Sequence, residues 1–325
     1  MNLFATVLTY PAPTANYRGE SEQNRTVIQK ITDGRLEYPI ISPEAMRNAL
    51  REILASYGFP CNRSRLHDEE QLAVKFADYP NPEEYIDDFF FGYFVAVGAD
   101  DRKKILEDLK KKRRKDSFQF KRDSILRMNL AKGLEPYRHN SVFTQSPKNS
   151  GDSPWKNAEG SALLHRETVQ TAFQYPFALN LNQCKSVKFK SKSVKFKKTT
   201  GGNKAVEGLR YLLKAIGELS GVAGNHARSY YEMAPASIVI RLSESLVAGY
   251  NTYGFTKEGD FPEVIDGIRN DDYPGNEFFI GGKIVKDMSE EDAQALRGQN
   301  VELDRNAQHL IATVTTKILG DGAKK

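Results

Sequence analysis

An α+β fold is what this sequence predicts, and three observations carry it. Short apolar, β-prone runs recur at 3–8, 26–31, 38–41, 169–181 and 237–242. Two stretches, 43–57 and 206–219, repeat apolar residues at helical spacing, and polar or glycine-rich segments separate the two kinds of run. The chain has 325 residues, 39% hydrophobic and 27% charged, which is enough apolar material for a core and enough length for one large domain with insertions. Its two cysteines, Cys61 and Cys184, exclude a disulfide framework and a cysteine-rich zinc site. No run approaches the roughly 20 apolar residues of a membrane span. The first residues lack the charged segment and long apolar run of a signal peptide, so a soluble, cytoplasmic protein is expected.

The elements follow in order. Leu3–Leu8 reads as a strand that Pro11-Ala12-Pro13 ends, and a polar stretch from Thr14 to Arg25 follows. Thr26–Ile31 and Tyr38–Ile41 read as two further strands, with Asp33-Gly34 as the turn between them. Ser42-Pro43-Glu44 opens a helix that runs to about Tyr57 and closes at Gly58. Ser42 suits the N-cap, Pro43 the first helical position, and Glu44 the positive end of the helix dipole. Met46, Ala49, Leu50, Ile53 and Leu54 form its apolar stripe, and Arg47 and Arg51, four apart, share another face. An apolar run at Phe89–Val97 follows two prolines. Residues 135–165, rich in Asn, Ser, Pro and Gly, read as a long loop or hairpin. Val169–Leu181 returns to strand character, 206–219 is a second amphipathic helix, and Ser237–Leu242 is a strand.

Charge is unevenly spread. Between Arg102 and Arg127 twelve Lys or Arg face four acids, a net of +8. Between Asn251 and Asp304 thirteen acids face five bases, a net of −8. A direct repeat, Lys185–Lys190 and Lys192–Lys197, alternates Lys with Val or Phe. It suits either a lysine-guarded hairpin or a phosphate-tracking ribbon. The lopsided charge fits nucleic acid on one face, or head-to-tail self-association of basic on acidic surface.

Catalytic patterns are not visible. The chain contains no GxGxxG, Walker loop, HExxH or GxSxG, and its five histidines show no ligand spacing. The adjacent pairs Asp87-Asp88 and Asp271-Asp272 read as solvated loop or turn, because neighbours in sequence do not face each other. Groups suited to RNA are more numerous. The loop at Asn16–Arg25 offers amide and guanidinium donors. Arg47 and Arg51 suit phosphates beside a helix N-terminus, although taken alone the pair reads first as a solvated face. Gly221–Gly224, followed by Asn225, His226 and Arg228, suits close backbone approach or a helix C-cap. Phe143 and Trp155 offer stacking groups or local packing.

The segment ANYRGESEQNRTVIQKITDGRLEYPIISPEAMRNALREIL, residues 15–54, resembles the start of the DevR-type backbone subunits of type I CRISPR interference complexes (Cascade). DDFFFGYF at 87–94, TAFQYPFALNLN at 171–182 and GVAGNHARSYYEMAPASIVIRL at 221–242 are similar to further blocks of that family, in the same order. The resemblance spans roughly residues 1–245 and implies a hand. An RRM-like, ferredoxin-like palm would take 1–59 and 169–325, a helical fingers insertion 60–134, and a protruding thumb hairpin 135–168. It implies a non-catalytic subunit, without cofactor or metal, that polymerises head to tail along a CRISPR RNA. The thumbs would kink the RNA so that the bases between kinks pair with target DNA. The partners implied are the CRISPR RNA, target DNA through the RNA–DNA heteroduplex, copies of the chain itself, and the other Cascade subunits: the guide 5′-end cap subunit, the large subunit and the repeat-processing endonuclease. No membrane partner is implied.

Carried over residue by residue, the family's RNA-binding positions are Asn16, Arg18, Asn24, Arg25 and Lys30 near the first strands. Ser42, Arg47 and Arg51 match the first helix, and Gly221, Gly224, Asn225, His226 and Arg228 match the glycine-rich loop. Phe143, Trp155, His165 and Arg166 are thumb candidates by chemistry and location only, and the lysine repeat has no counterpart in the family pattern. The rival reading is a ribonuclease of the same repeat-associated superfamily acting on CRISPR or target RNA, with Asp33 as the nearest candidate for a cutting residue. Its position in a turn before Gly34 suits a plain hairpin residue.

Overall fold

The computed structural model describes residues 1–14, 17–22, 25–65, 74–111, 118–145, 163–185, 204–222 and 231–320. Asn16, Asn24, Trp155, Gly224, Asn225, His226, Arg228 and the lysine repeat beyond Lys185 lie outside the described residues, and Arg18 and Arg25 are described by their backbone.

β1 (Asn2–Leu8) opens the chain, and β2 (Ala12–Thr14) resumes pairing directly after Pro11, with Pro13 inside it. The polar stretch after it holds β3 (Tyr17–Glu22) and β4 (Arg25–Ile28), whose backbone groups pair with each other. β5 (Lys30–Asp33) and β6 (Leu36–Ile41) form a hairpin in which Gly34 takes φ +63°, a conformation that favours glycine. α1 (Pro43–Ser56) starts where the sequence says. The Ser42 side chain accepts a hydrogen bond from the Ala45 N–H at 3.2 Å, and Met46, Ala49, Leu50 and Leu54 are buried.

The next stretch holds the hairpin β7 (Arg63–Arg65) and β8 (Val74–Phe76), then α2 (Ile86–Phe91), β9 (Tyr93–Phe94), α3 (Ala99–Lys111), β10 (Lys121–Arg122), β11 (Leu126–Met128) and β12 (Ala131–Gly133). Gly92, between α2 and β9, has φ +60°, and a Cβ there would sit 2.3 Å from the Arg122 carbonyl oxygen. The close passage of the two segments requires glycine. β13 (Asn140–Gln145) pairs antiparallel with β14 (Leu163–Thr171), so the expected loop or hairpin is a hairpin at its base. β15 (Phe173–Asn180), α4 (Leu181–Lys185), α5 (Lys204–Gly217) and β16 (Ser237–Ser243) follow. α6 (Pro262–Arg269), β17 (Phe278–Gly282), α7 (Lys283–Asp287), α8 (Glu290–Gly298), β18 (Glu302–Asp304) and α9 (Ala307–Leu319) complete the order.

A large mixed sheet runs β18-β17-β16-β1-β15-β12-β6-β5, with β11 also pairing β15. β1 lies in its middle, antiparallel to β15 on one side (Asn2 opposite Asn180) and to β16 on the other (Asn2 opposite Ser243). β17 and β18 pair in parallel. Two of these strands, β11 and β12, come from the 60–134 stretch. At three residues each they are too short to display strand alternation in the sequence.

Alternation along the central strands sorts side chains into two cores. Leu3, Ala5, Val7, Ile238, Ile240 and Leu242 join the buried faces of α1, α5 and α9. Val239, Phe278 and Ile280 join Tyr250, Phe255, Phe261, Val264, Ile268 and Leu296. The acidic stretch 251–304, which shows no motif in the sequence, thus supplies the second core, with its apolar residues buried and most of its acids facing water. A separate smaller sheet, β13-β14-β4-β3 with β2 on β14, ties the N-terminal strands to the 140–171 hairpin.

Candidate nucleic-acid interface

α1 carries Arg47 and Arg51 one turn apart, and Ser42, its N-cap, fixes where the helix begins. The face they share is not a solvated one. Arg51 is only 8% exposed. Its Nε lies 3.3 Å from Asp87 Oδ2, its Nη1 donates to Asn48 Oδ1, and its guanidinium sits 5.2 Å from the centre of the Phe91 ring.

Asp87 and Asp88 have no exposed surface. This corrects the expectation of a solvated turn. The two acids open α2, all six residues of which are buried, so each needs its own partners. Asp87 accepts from the Asn62 N–H at 2.7 Å and from the Arg63 N–H at 3.1 Å, and Arg63 Nε donates to it at 3.3 Å. Asp88 accepts from Asn62 Nδ2 and from the Asn81 N–H, both at 2.9 Å. Arg63 also donates to the Gly92 carbonyl at 2.7 Å. Adjacency along the chain was the wrong criterion, because the partners come from 25 residues upstream and from α1.

The electrostatics follow from burial. Burial, then the Arg63 charge, pulls Arg51 down to about 10, against the attraction of Asp87. Burial likewise lowers Arg47, with Glu44 opposing. Burial, then the Asp87 charge, pushes Asp88 up to about 6. The Arg51–Asp87 pair is close without hydrogen-bond alignment. Arg47 Nε, Arg51 Nε and Asp88 Oδ1 are buried atoms with no hydrogen-bond partner among the described residues. Arg51 also lines a cleft of about 360 Å³, together with Arg63, Asn48, Ser64, Ala55 and Val74, with Glu52 and Cys61. Guanidinium donors at a cleft wall can take a phosphate oxygen.

The smaller sheet builds a second group. Arg25 lies directly opposite His165, and His165 directly opposite Phe143, so three candidates from two distant stretches share one row across β4, β14 and β13. Phe143 is 58% exposed, and its ring centre lies 4.1 Å from that of His165. Arg166 lies opposite Thr26 and Val142, and its Nε is buried without a hydrogen-bond partner among the described residues. Lys30 is braced: its Nζ is 3.7 Å from Glu167 and 3.9 Å from the centre of the Tyr137 ring. Glu167 is itself buried and accepts from the Ile28 N–H at 3.0 Å.

Gly221 takes φ +70° with open space where a Cβ would stand. It is not the cap of α5, which ends at Gly217. Its N–H donates to the Tyr231 carbonyl at 3.2 Å and Ser220 bridges Glu232, which closes the base of the glycine-rich loop. Asp33 ends β5 and pairs with Lys132 at 2.6 Å. Sequence reasoning missed Asn62, Arg63, Asp87 and Asp88 as one cluster. The available signal was two acids directly ahead of three phenylalanines, a charge placed where the chain must be buried.

No protein-family model matches the chain. A curated protein of Myxococcus xanthus (strain DK1622), named CRISPR-associated protein Cas7/Cst2/DevR, is 25% identical over 311 residues, covering 92% of this chain and 92% of that protein. A chain in the solved structure "CRISPR RNA-guided surveillance complex, pre-nicking" superposes with a TM-score of 0.50 at 12% identity, over 98% of this chain and 100% of that one, and shares its fold. A second, in "CRISPR RNA-guided surveillance complex", gives 0.49 at 12% identity over 98% and 99%. The resemblance carried by four blocks of the sequence thus extends, as a similarity to a Cas7/Cst2/DevR protein at 25% identity, over 92% of the chain.

Proposed function

We propose that this chain is a CRISPR RNA-binding backbone subunit of a type I Cascade complex. The observation that carries this reading is the similarity to a Cas7/Cst2/DevR protein over 92% of the chain. In this reading several copies polymerise head to tail along one guide, hold its backbone, and kink it so that the intervening bases pair with target DNA. The chain itself does no bond cleavage. It works in the prokaryotic cytoplasm beside the guide 5′-end cap subunit, the large subunit and the repeat-processing endonuclease.

The ferredoxin-like palm is supported by the antiparallel order β16-β1-β15-β11, in which the chain runs β1, α1, β11, β15, α5, β16. The thumb reading of 135–168 is supported by the hairpin β13–β14, with Val142 and Phe143 exposed on it. RNA phosphates are assigned to Arg47, Arg51 and Lys30 and to the backbone turn at Gly221. A base is assigned to the face formed by Phe143 and His165.

The test is purification with and without the CRISPR array transcript, reading particle mass and the ratio of absorbance at 260 and 280 nm. A large particle holding protected RNA of discrete length is expected. An RNA-free monomer in both preparations overturns the reading.

A further inference from the structure

Outside both groups lies a ribbon whose chemistry the guide-binding reading does not use. β9 and β10 pair antiparallel, Phe94 directly opposite Lys121 and Tyr93 opposite Arg122. Tyr93 is buried and Phe94 is 63% exposed, as alternation along a two-residue strand requires. The other aromatic rings nearby are occupied. Phe118 and Phe120 pack edge to face at 5.0 Å, Phe118 leans on Tyr79 at 6.1 Å, and Arg102 caps Phe120 at 5.2 Å. They anchor the ribbon against α3 and leave Phe94 outside, more exposed than Phe143.

The surroundings are basic. Among the described residues between Arg102 and Arg127, eight Lys or Arg face three acids. Arg102, Lys103 and Lys104 on the first turns of α3, and Lys121 across from Phe94, are exposed. Lys121 lies 3.8 Å from Asp123 and Lys104 3.6 Å from Asp101, both pairs in open water, where such contacts are weak and readily exchanged for a phosphate.

We propose that the β9–β10 ribbon with the start of α3 is a second nucleic-acid site, and that it takes an unpaired strand. Phe94 stacks on a base while Lys121 and the α3 cations hold the flanking phosphates. The exposed ring decides between unpaired and duplex ligands. Stacking needs an open base face, which a continuous duplex buries, whereas phosphate contact alone would need no ring. Both sugars present the same π-face and phosphate, so DNA and RNA are distinguished by the test. The assignment is independent of the guide-binding reading, since it requires only that the described ribbon be accessible.

The experiment uses the full chain, both as purified with guide transcript and RNA-free, titrated with fluorescein-labelled dT20, U20 and a 20-base-pair duplex. Phe94→Ala is expected to weaken dT20 or U20 about tenfold, from the roughly 1–3 kcal/mol of base–aromatic stacking. Phe94→Tyr, which keeps a ring, retains wild-type affinity. Duplex affinity is unchanged in both variants. Lys121→Ala lowers the salt slope for the single strand by about 0.7. Guide content and thermal midpoint of Phe94→Ala match wild type, which separates this site from the guide site. Failure to retain guide transcript would sink the proposed function and leave this test intact on the RNA-free protein. Equal single-strand affinity in wild type and Phe94→Ala, or equal Phe94 dependence for duplex, overturns the assignment.

Discussion

Arg51 brings its Nε to 3.3 Å from Oδ2 of Asp87, a carboxylate with no exposed surface, and so fastens α1 to the start of α2. Asp87→Ala removes the carboxylate facing the buried Arg51 guanidinium and one of the partners of the half-buried Arg63, and should cost about 3–5 kcal/mol. Urea unfolding reads this as a lower midpoint at unchanged slope. Lys257→Ala, which breaks a pair with Glu135 between half-exposed partners at 3.0 Å, should cost less than about 1 kcal/mol. Equal effects of the two variants would mean that the buried pair does not fasten the helices.

Asp88 gives the fold a pH dependence of known sign. Its folded value is raised from 3.8 to about 6, so folding favours the protonated form. The contribution is fully present below about pH 4 and is lost as pH rises through about 6. Relative to Asp88→Asn, wild type should therefore lose up to about 3 kcal/mol of stability between pH 4 and 7. Unfolding free energies of the two proteins across that window check it, and parallel curves would contradict it.

The two arginines of α1 should separate. Arg47→Ala weakens RNA binding without changing sequence preference and lowers the salt slope by about 0.7, at an unchanged thermal midpoint. Arg51→Ala lowers the slope and the midpoint together, because its guanidinium is also the partner of Asp87. Filter binding at several salt concentrations, with melting curves alongside, reads both. A slope unmoved by either change refutes the phosphate assignment of this face.

Phe143→Ala should weaken guide-RNA binding about tenfold, given roughly 1–3 kcal/mol for a stacked base, and leave the thermal midpoint in place because the ring is 58% exposed. Phe143→Tyr should bind as wild type. Wild-type affinity in the alanine variant would remove the stacking role.

What could be read from the sequence was local. α1 was legible because Ser42, Pro43 and the stripe from Met46 to Leu54 are short-range signals, and β16 because Ile238–Leu242 is a β-branched and apolar run broken only by Arg241. The row Arg25, His165, Phe143 was not legible, since it depends on a parallel pairing between strands some 140 residues apart. The Asp87–Asp88 cluster escaped for a related reason: spacing along the chain says nothing about Asn62, Arg63 and Arg51 converging from other elements. The second core was hidden by its own charge. Thirteen acids between 251 and 304 mask Phe255, Phe261 and Phe278 in any composition average.

The central place of β1 sets the order in which the chain can be completed as it is made. β1 is made well before its two neighbours, β15 and β16, which end at Asn180 and Ser243. Leu3, Ala5 and Val7 must wait for both edges of their slot to be made. At about 5–20 residues per second that delay is on the order of ten seconds or more. The nascent chain carries an apolar, unpaired strand throughout, so its yield in the cell is governed by translation speed and chaperone supply as well as by final stability.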